Sequence, residues 1–331
     1  METLLERLPE DWAAWTLENM AQNVQPHVVA RILRQKFQSL QIDDDSLEAL
    51  RSSPIVASVR LANSRAQRRE KLLMSRLEMR VVGRETRVDV RENLSASEFY
   101  ARYFALSEPV LLSGAAKSWP AVEKWTFQAL RQQFADAEVD VQGGRNSNPN
   151  YEIEIEQHRA RMRFGDFIDA IADSHSNDLY MVANNHALES GLKPLINDIR
   201  AIRGVTNPPE PDGRTFIWIG AGGSVTPLHY DESNVMFVQV VGRKRFALAP
   251  FEAYPFMYNH VGVFSEARSP DADRQRFPNL SGVSFAWIDV EPGDVLFIPL
   301  GWWHYVTSFE QSISVSCTSF TRRHRSASSP E

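Results

Sequence analysis

At 331 residues the chain is about twice the length of a typical domain, which predicts one large domain with an appendage, or two domains. With 43% hydrophobic and 24% charged residues it has the make-up of an ordinary globular protein, which excludes a disordered or fibrous chain. Its 36 basic and 42 acidic residues leave a formal charge of −6, so the body repels phosphate backbones and nucleic acid is not an expected partner.

In chain order, Met1 to Trp15 carries Glu2, Glu6, Glu10 and Asp11 and lacks the positive start and apolar run of a secretion signal. No segment reaches the roughly 20 apolar residues of a membrane helix, so a cytoplasmic protein with no membrane partner is expected. Residues 1–87 read as a helical region. Trp12, Trp15, Leu17 and Met20 fall on one helix face, and Val28, Val29, Ile32, Leu33 and Phe37 on another after Pro26. These faces need cover, either from the following domain or from a second subunit, which would make a homodimer through the N-terminal helices. A basic segment from Ile55 to Met79, with Arg60, Arg65, Arg68, Arg69, Lys71 and Arg76, reads as a solvated helix face.

Residues 88–320 read as a second, β-rich domain. Ser95 to Glu98 forms a capping box, Pro109–Gly114 a strand and turn, and Thr126–Phe134 a helix. Val139–Gln142 and Tyr151–Ile155 have strand patterns, Phe164–Ala172 a helical one and Leu179–Val182 that of a strand. Beyond Pro208 come strands at 215–219, 235–241, 245–249, 284–290, 295–298, 303–308 and 312–318. Many short strands broken by Gly and Pro turns predict a closed or double-sheet β architecture. Residues 321–331, rich in Arg and Ser, are expected to form a disordered tail.

One of the eight histidines is followed two residues later by a carboxylate: His229-Tyr230-Asp231. On a strand, positions i and i+2 face the same way, so His229 and Asp231 can share a metal ion. A third ligand is available from His304, which follows a Pro-Gly-Asp turn, an apolar strand and a second turn. Two histidines and one carboxylate form the facial triad of non-haem Fe(II) oxygenases, which leaves coordination sites open for a chelating co-substrate and O2. The single cysteine, Cys317, allows no intramolecular disulfide and no cysteine-based zinc cluster.

The strings Gly223–Glu232 (GSVTPLHYDE), Gln239–Arg245 (QVVGRKR) and Glu291–His304 (EPGDVLFIPLGWWH) resemble those of the cupin-like, JmjC-type 2-oxoglutarate-dependent oxygenases. Glu108–Leu111 and Leu179-Tyr180 extend the likeness over roughly residues 88–320. Within the family, the pattern looks most like the asparaginyl hydroxylase that acts on hypoxia-inducible factor. The resemblance implies a double-stranded β-helix, or jelly roll, preceded by the helical region. It implies Fe(II) held by His229, Asp231 and His304, with 2-oxoglutarate and O2 as co-substrates. Lys244, Thr226 and Tyr180 take the family places that bind the far carboxylate of 2-oxoglutarate. Asn234 and Thr318 stand near the relative's two asparagines and are further cofactor-binding candidates, with Asn234 one residue out of register. Tyr230 and Trp302 are candidate substrate contacts. The implied reaction is hydroxylation of a side chain in a protein or peptide. Small-molecule hydroxylation, N-demethylation and a non-catalytic cupin binding module are the alternatives.

Overall fold

The computed structural model describes residues 4–322. They form two compact units, one up to Arg76 and one from Leu77 onwards. Residues 323–331, most of the expected tail, lie outside the described residues. Thr321 and Arg322 are pinned: Thr321 N donates to the Val205 carbonyl (2.9 Å) and Arg322 N to the Tyr100 hydroxyl (3.2 Å).

The first unit is all helical. Helices Glu10–Ala21, Pro26–Lys36 and Asp44–Arg51 are followed by the 28-residue helix Pro54–Val81, which runs on past the boundary. Pro26 opens its helix, where a missing N–H costs nothing. Asp43 caps the next by accepting from Ser46 N (2.6 Å). The apolar faces that sequence reasoning left in need of cover bury one another. Met20, Val29, Leu33, Leu47 and Val56 share a core inaccessible to solvent, and Trp12 packs on Trp15 and Phe37. The missing partner was the short helix Asp44–Arg51, too brief to show a clear period. Arg60 donates to the carbonyls of Met20 and Ala21 at a helix end, while Arg65, Arg68, Arg69 and Lys71 are exposed. Leu61, Leu72 and Leu73 are exposed as well.

Among the described residues the second unit holds fifteen strands: β1 (Asp89–Arg91), β2 (Val110–Leu112), β3 (Glu138–Gln142), β4 (Arg159–Arg163), β5 (Tyr180–Met181), β6 (Thr215–Gly220), β7 (Val225–Tyr230), β8 (Val235–Val241), β9 (Lys244–Ala249), β10 (Asn259–Val261), β11 (Phe264–Ser265), β12 (Ala286–Val290), β13 (Val295–Ile298), β14 (Trp303–Ser308) and β15 (Ser312–Cys317). A larger sheet has the order β1-β2-β13-β8-β15-β6-β5-β3-β4, and a smaller one β10-β11-β7-β14-β9-β12. Neighbours in the sheets are far apart in sequence and mostly antiparallel, which is the jelly roll expected.

Strand alternation sorts the side chains. Ile217, Ile219, Met236, Val238, Val295 and Phe297 face the outer helices in one large core, with Phe99 and Phe104 packed on Phe297. Their neighbours Phe216, Trp218, Val235, Phe237 and Ile298 face inward, toward the smaller sheet, and line a cavity between the two. Behind the smaller sheet, Leu228, Ala249 and Trp303 belong to a separate core with Met257 and Leu280.

One strand expectation fails. Tyr151–Ile155 alternates like a strand, yet it forms turns leading into a short helix, Ile155–His158. The preceding Asn-Pro-Asn decides the matter: Asn148 Oδ1 accepts from Asn150 N (2.8 Å), and the Asn150 carbonyl takes the N–H groups of Ile153 and Glu154. The pairing strand is the next one, β4, whose basic sequence hid it.

Candidate metal centre

The cavity between the sheets has a volume of about 460 Å³, and its wall includes His229, Asp231, His304, Lys244, Tyr180 and Thr226. His229 is the last residue but one of β7 and His304 the second of β14, directly opposite each other in the ladder, with ring centroids 4.0 Å apart. Asp231 follows one residue beyond β7. His229 Nε2 lies 3.9 Å from one carboxylate oxygen of Asp231 and His304 Nε2 lies 3.6 Å from the other. One ligand atom from each residue falls within 4.8 Å of the others; among the described residues no other His, Cys, Asp and Glu side chains form such a group.

Both imidazoles are set up as ligands. His229 Nδ1 faces the Pro227 carbonyl (2.7 Å) and His304 Nδ1 faces the Trp302 carbonyl (2.9 Å). A carbonyl only accepts, so each Nδ1 carries the proton and each Nε2 offers its lone pair toward Asp231. Burial holds the His229 pKa down to about 4, helped by the neighbouring His304 and opposed by Asp231. The ring is therefore neutral at pH 7, as metal binding requires. Phe264 stacks on it at 5.5 Å, a contact that no sequence motif announced.

A β-bulge brings Thr226 to the same side. His304 pairs with His229 and Val306 with Thr226, so two steps on β14 oppose three on β7. The extra residue lies at Pro227-Leu228, and Pro227 has no N–H to leave unpaired there. Without the bulge, Thr226 and His229 would point to opposite faces.

Lys244, at the start of β9, is 1% exposed and donates to the Tyr180 hydroxyl at 2.9 Å. Among the described residues no carboxylate lies within ion-pairing distance of it. Its neighbours point outward to such partners: Arg243 to Glu310 and Arg245, with two hydrogen bonds, to Asp289. A buried ammonium without a counter-charge is costly, so the site calls for an anion. One edge of the Tyr180 ring lies against Gly220, where an added Cβ would sit 2.6 Å from it. The residues thus fit a divalent metal beside a carboxylate-bearing ligand.

The other candidates divide. Thr318 lines the cavity, half-buried, with its N–H and hydroxyl on the Arg214 carbonyl. Asn234 does not reach it; Ser233 and Val235 form the wall instead. Strand parity turns Asn234 away, and its Oδ1 accepts from Leu300 N (2.9 Å). Together with the bond from Gly301 N to the Asp231 carbonyl (2.9 Å), this ties the Asp231 loop to the turn before His304. Tyr230 and Trp302 also miss the cavity. Tyr230 faces the other side of β7, against Trp303, and the Trp302 indole donates to the Ser107 carbonyl (2.7 Å). Both line a separate groove of about 970 Å³ that shares Asp231 with the metal cavity. Asp294 shapes its turn by accepting from Gly114 N and Glu291 N. Sequence reasoning missed a buried group near Tyr180: Gln142, Arg145 and Glu152.

A jelly roll with a His-x-Asp and a distant His converging in its interior defines a cupin-type metal site. Residues 96–319 match the family of cupin-like domains, and the chain belongs to that family. It is similar to lysine-specific demethylase 8 of Xenopus tropicalis, with 28% identity over 71% of this chain and 53% of that protein. It is also similar to Jumonji C domain-containing protein 5 of Drosophila melanogaster, with 30% identity over 67% of this chain and 57% of the relative. A shorter stretch, 31% of the chain, is 39% identical to 22% of HSPB1-associated protein 1 of Homo sapiens. The chain spans about half the length of the first two relatives. These likenesses carry the wider JmjC family rather than the asparaginyl hydroxylase in particular. No helix among the described residues is long and apolar enough to cross a membrane.

The depressed pKa of His229 has a sign that can be checked. The unfolded chain takes up a proton on this ring near the usual 6.5, and the folded chain only near 4. Between those values the unfolded state binds more protons, so the metal-free protein should lose stability as pH falls from about 6.5 to 4. Urea unfolding across this window should show the loss, and His229→Gln should flatten it. A pH dependence unchanged by that substitution would mean that His229 titrates normally.

Proposed function

We propose that the protein is an Fe(II)- and 2-oxoglutarate-dependent oxygenase acting on a side chain of a protein or peptide. The observation that carries this reading is the pairing, in one cavity, of the metal triad with a buried lysine that has no counter-charge. His229, Asp231 and His304 would hold Fe(II). Lys244 and Tyr180, with Thr226 beside them, would take the far carboxylate of 2-oxoglutarate through charge-assisted hydrogen bonds. Thr318 lines the same cavity and is the remaining co-substrate contact. When bound, Fe(II) with 2-oxoglutarate and O2 supplies the oxidising power for attack on a C–H bond, giving succinate and CO2. The protein's part is to orient the co-substrate and to bring one target carbon to the opening beside Asp231. Val235, Phe237 and Phe246 keep that wall apolar.

The groove at Asp231, with Tyr230 and Trp302 in its wall, suits an extended peptide and is the proposed substrate path. Hydroxylation of the target carbon is the simplest outcome. The demethylase names of the relatives favour a second form of the same chemistry, in which the hydroxylated carbon is an N-methyl group. A complete triad and Lys244 argue against a non-catalytic binding module.

The N-terminal unit supplies no metal ligand in this reading and serves assembly or partner binding through Leu61, Leu72 and Leu73. If it forms a homodimer, light scattering should give twice the chain mass, and Leu72→Lys with Leu73→Lys should halve it. A monomeric mass for the unaltered protein would remove the dimer.

The function is tested by incubating purified protein with Fe(II), 2-oxoglutarate and O2 and measuring succinate. Turnover is expected, with His229→Ala and Asp231→Ala each lowering it by more than about a hundredfold. Lys244→Ala should weaken 2-oxoglutarate binding by about a hundredfold while sparing metal affinity. Full turnover in the ligand variants would remove the oxygenase reading. Unchanged co-substrate affinity in Lys244→Ala would move the anchor elsewhere.

A further inference from the structure

Arg145 is an unusual residue to find inside the jelly roll, for its side chain is wholly buried. The guanidinium donates to the Val225 carbonyl (2.6 Å) and to Gln142 Oε1, and lies 3.1 Å from a carboxylate oxygen of Glu152. It is also sandwiched between two rings, 4.1 Å from the centroid of Tyr151 and 5.0 Å from that of Tyr180. Its Nε has no partner, so the arrangement is not optimised for Arg145 itself. A buried ion pair is weak evidence for stability, because apolar residues of the same volume commonly do as well.

What the arrangement fixes is Tyr180. Gln142, which accepts from Arg145, is the ladder partner of Tyr180. Val225, whose carbonyl Arg145 holds, directly precedes Thr226. Gly220 closes one edge of the Tyr180 ring, Trp218 stands at 6.2 Å, and the Arg145 guanidinium bounds it at 5.0 Å. The fixed phenol matters because of Lys244. The tyrosine oxygen accepts from the ammonium, which leaves its own O–H and the other ammonium hydrogens to donate into the cavity. Glu152, which shares the cavity wall, is paired with the buried Arg145 at 3.1 Å, so its carboxylate is not left unpaired beside the anion.

We infer that Arg145 is a positioning residue for the co-substrate anion: it stays out of the cavity and holds Tyr180 where its hydroxyl and Lys244 converge on one carboxylate. This rests on the function proposed above. The planar fork is essential to it, since a guanidinium can lie against two ring faces while donating in its own plane, and a lysine ammonium cannot.

The test is calorimetric titration of 2-oxoglutarate into the full-length protein loaded with Mn(II), which needs no turnover. Arg145→Met, and Arg145→Lys should Met not fold, are expected to weaken 2-oxoglutarate binding by about tenfold while Mn(II) affinity changes less than about twofold. In a Tyr180→Phe background the same substitution should have little further effect, because the group it positions is gone. Unchanged co-substrate affinity in either folded Arg145 variant would overturn the inference. So would full additivity with Tyr180→Phe, or an equal loss of Mn(II) affinity, which marks general damage. If the unaltered protein binds Mn(II) but not 2-oxoglutarate, the functional reading itself falls and this inference with it.

Discussion

The site depends on one buried ammonium. Among the described residues, Lys244 sits inside the jelly roll with only the Tyr180 hydroxyl to receive a hydrogen bond and no carboxylate within ion-pairing distance. Proteins rarely tolerate such a charge without reason, since desolvating it costs several kcal/mol and a neutral phenol returns little of that. The flanking arginines show that the strand could have paired its charges, because Arg243 and Arg245 do so on the outside. The unpaired charge points inward, into the cavity that holds the triad. In the function proposed, an anion in the cavity would offset its cost, and the lysine would serve as a receptor for it.

The remaining geometry serves to aim groups at that cavity. The smaller sheet carries His229, His304, Lys244 and Thr226 on three adjacent strands, and the larger one closes the cavity from across with Trp218, Val235 and Phe237. Two local devices make this work. The bulge at Pro227-Leu228 restores Thr226 to the side of His229. The Asn234 and Gly301 hydrogen bonds fasten the loop of Asp231 to the turn before His304, so Asp231 is held to the turn that leads into the strand of His304. Backbone carbonyls set both imidazole tautomers.

Much of this was legible in the sequence, and the limits have physical causes. The triad could be read because His-x-Asp encodes a shared strand face and the turn before His304 carries its own Pro-Gly-Asp signal. Lys244 could be read only through the family likeness, because an isolated strand lysine is normally exposed. Asn234 was misassigned by one residue, which on a strand is the difference between facing the cavity and facing away. Tyr151–Ile155 alternated like a strand, but an Asn-Pro-Asn turn overrode it. Arg145 and Glu152 left no signal, for opposite charges seven residues apart in a loop look the same whether buried or solvated. The apolar faces of the N-terminal helices were read correctly, but their partner was a helix too short to recognise.

The central claim is that Lys244 and the triad form one receptor, with the metal and the anion held side by side. A crystal structure of the protein grown with Mn(II) and 2-oxoglutarate tests it most directly. The account predicts the metal on His229, Asp231 and His304, with the far carboxylate of 2-oxoglutarate within hydrogen-bonding distance of both Lys244 Nζ and the Tyr180 hydroxyl. A metal bound elsewhere, or a 2-oxoglutarate carboxylate held by other residues while Lys244 stays unpaired, would contradict it.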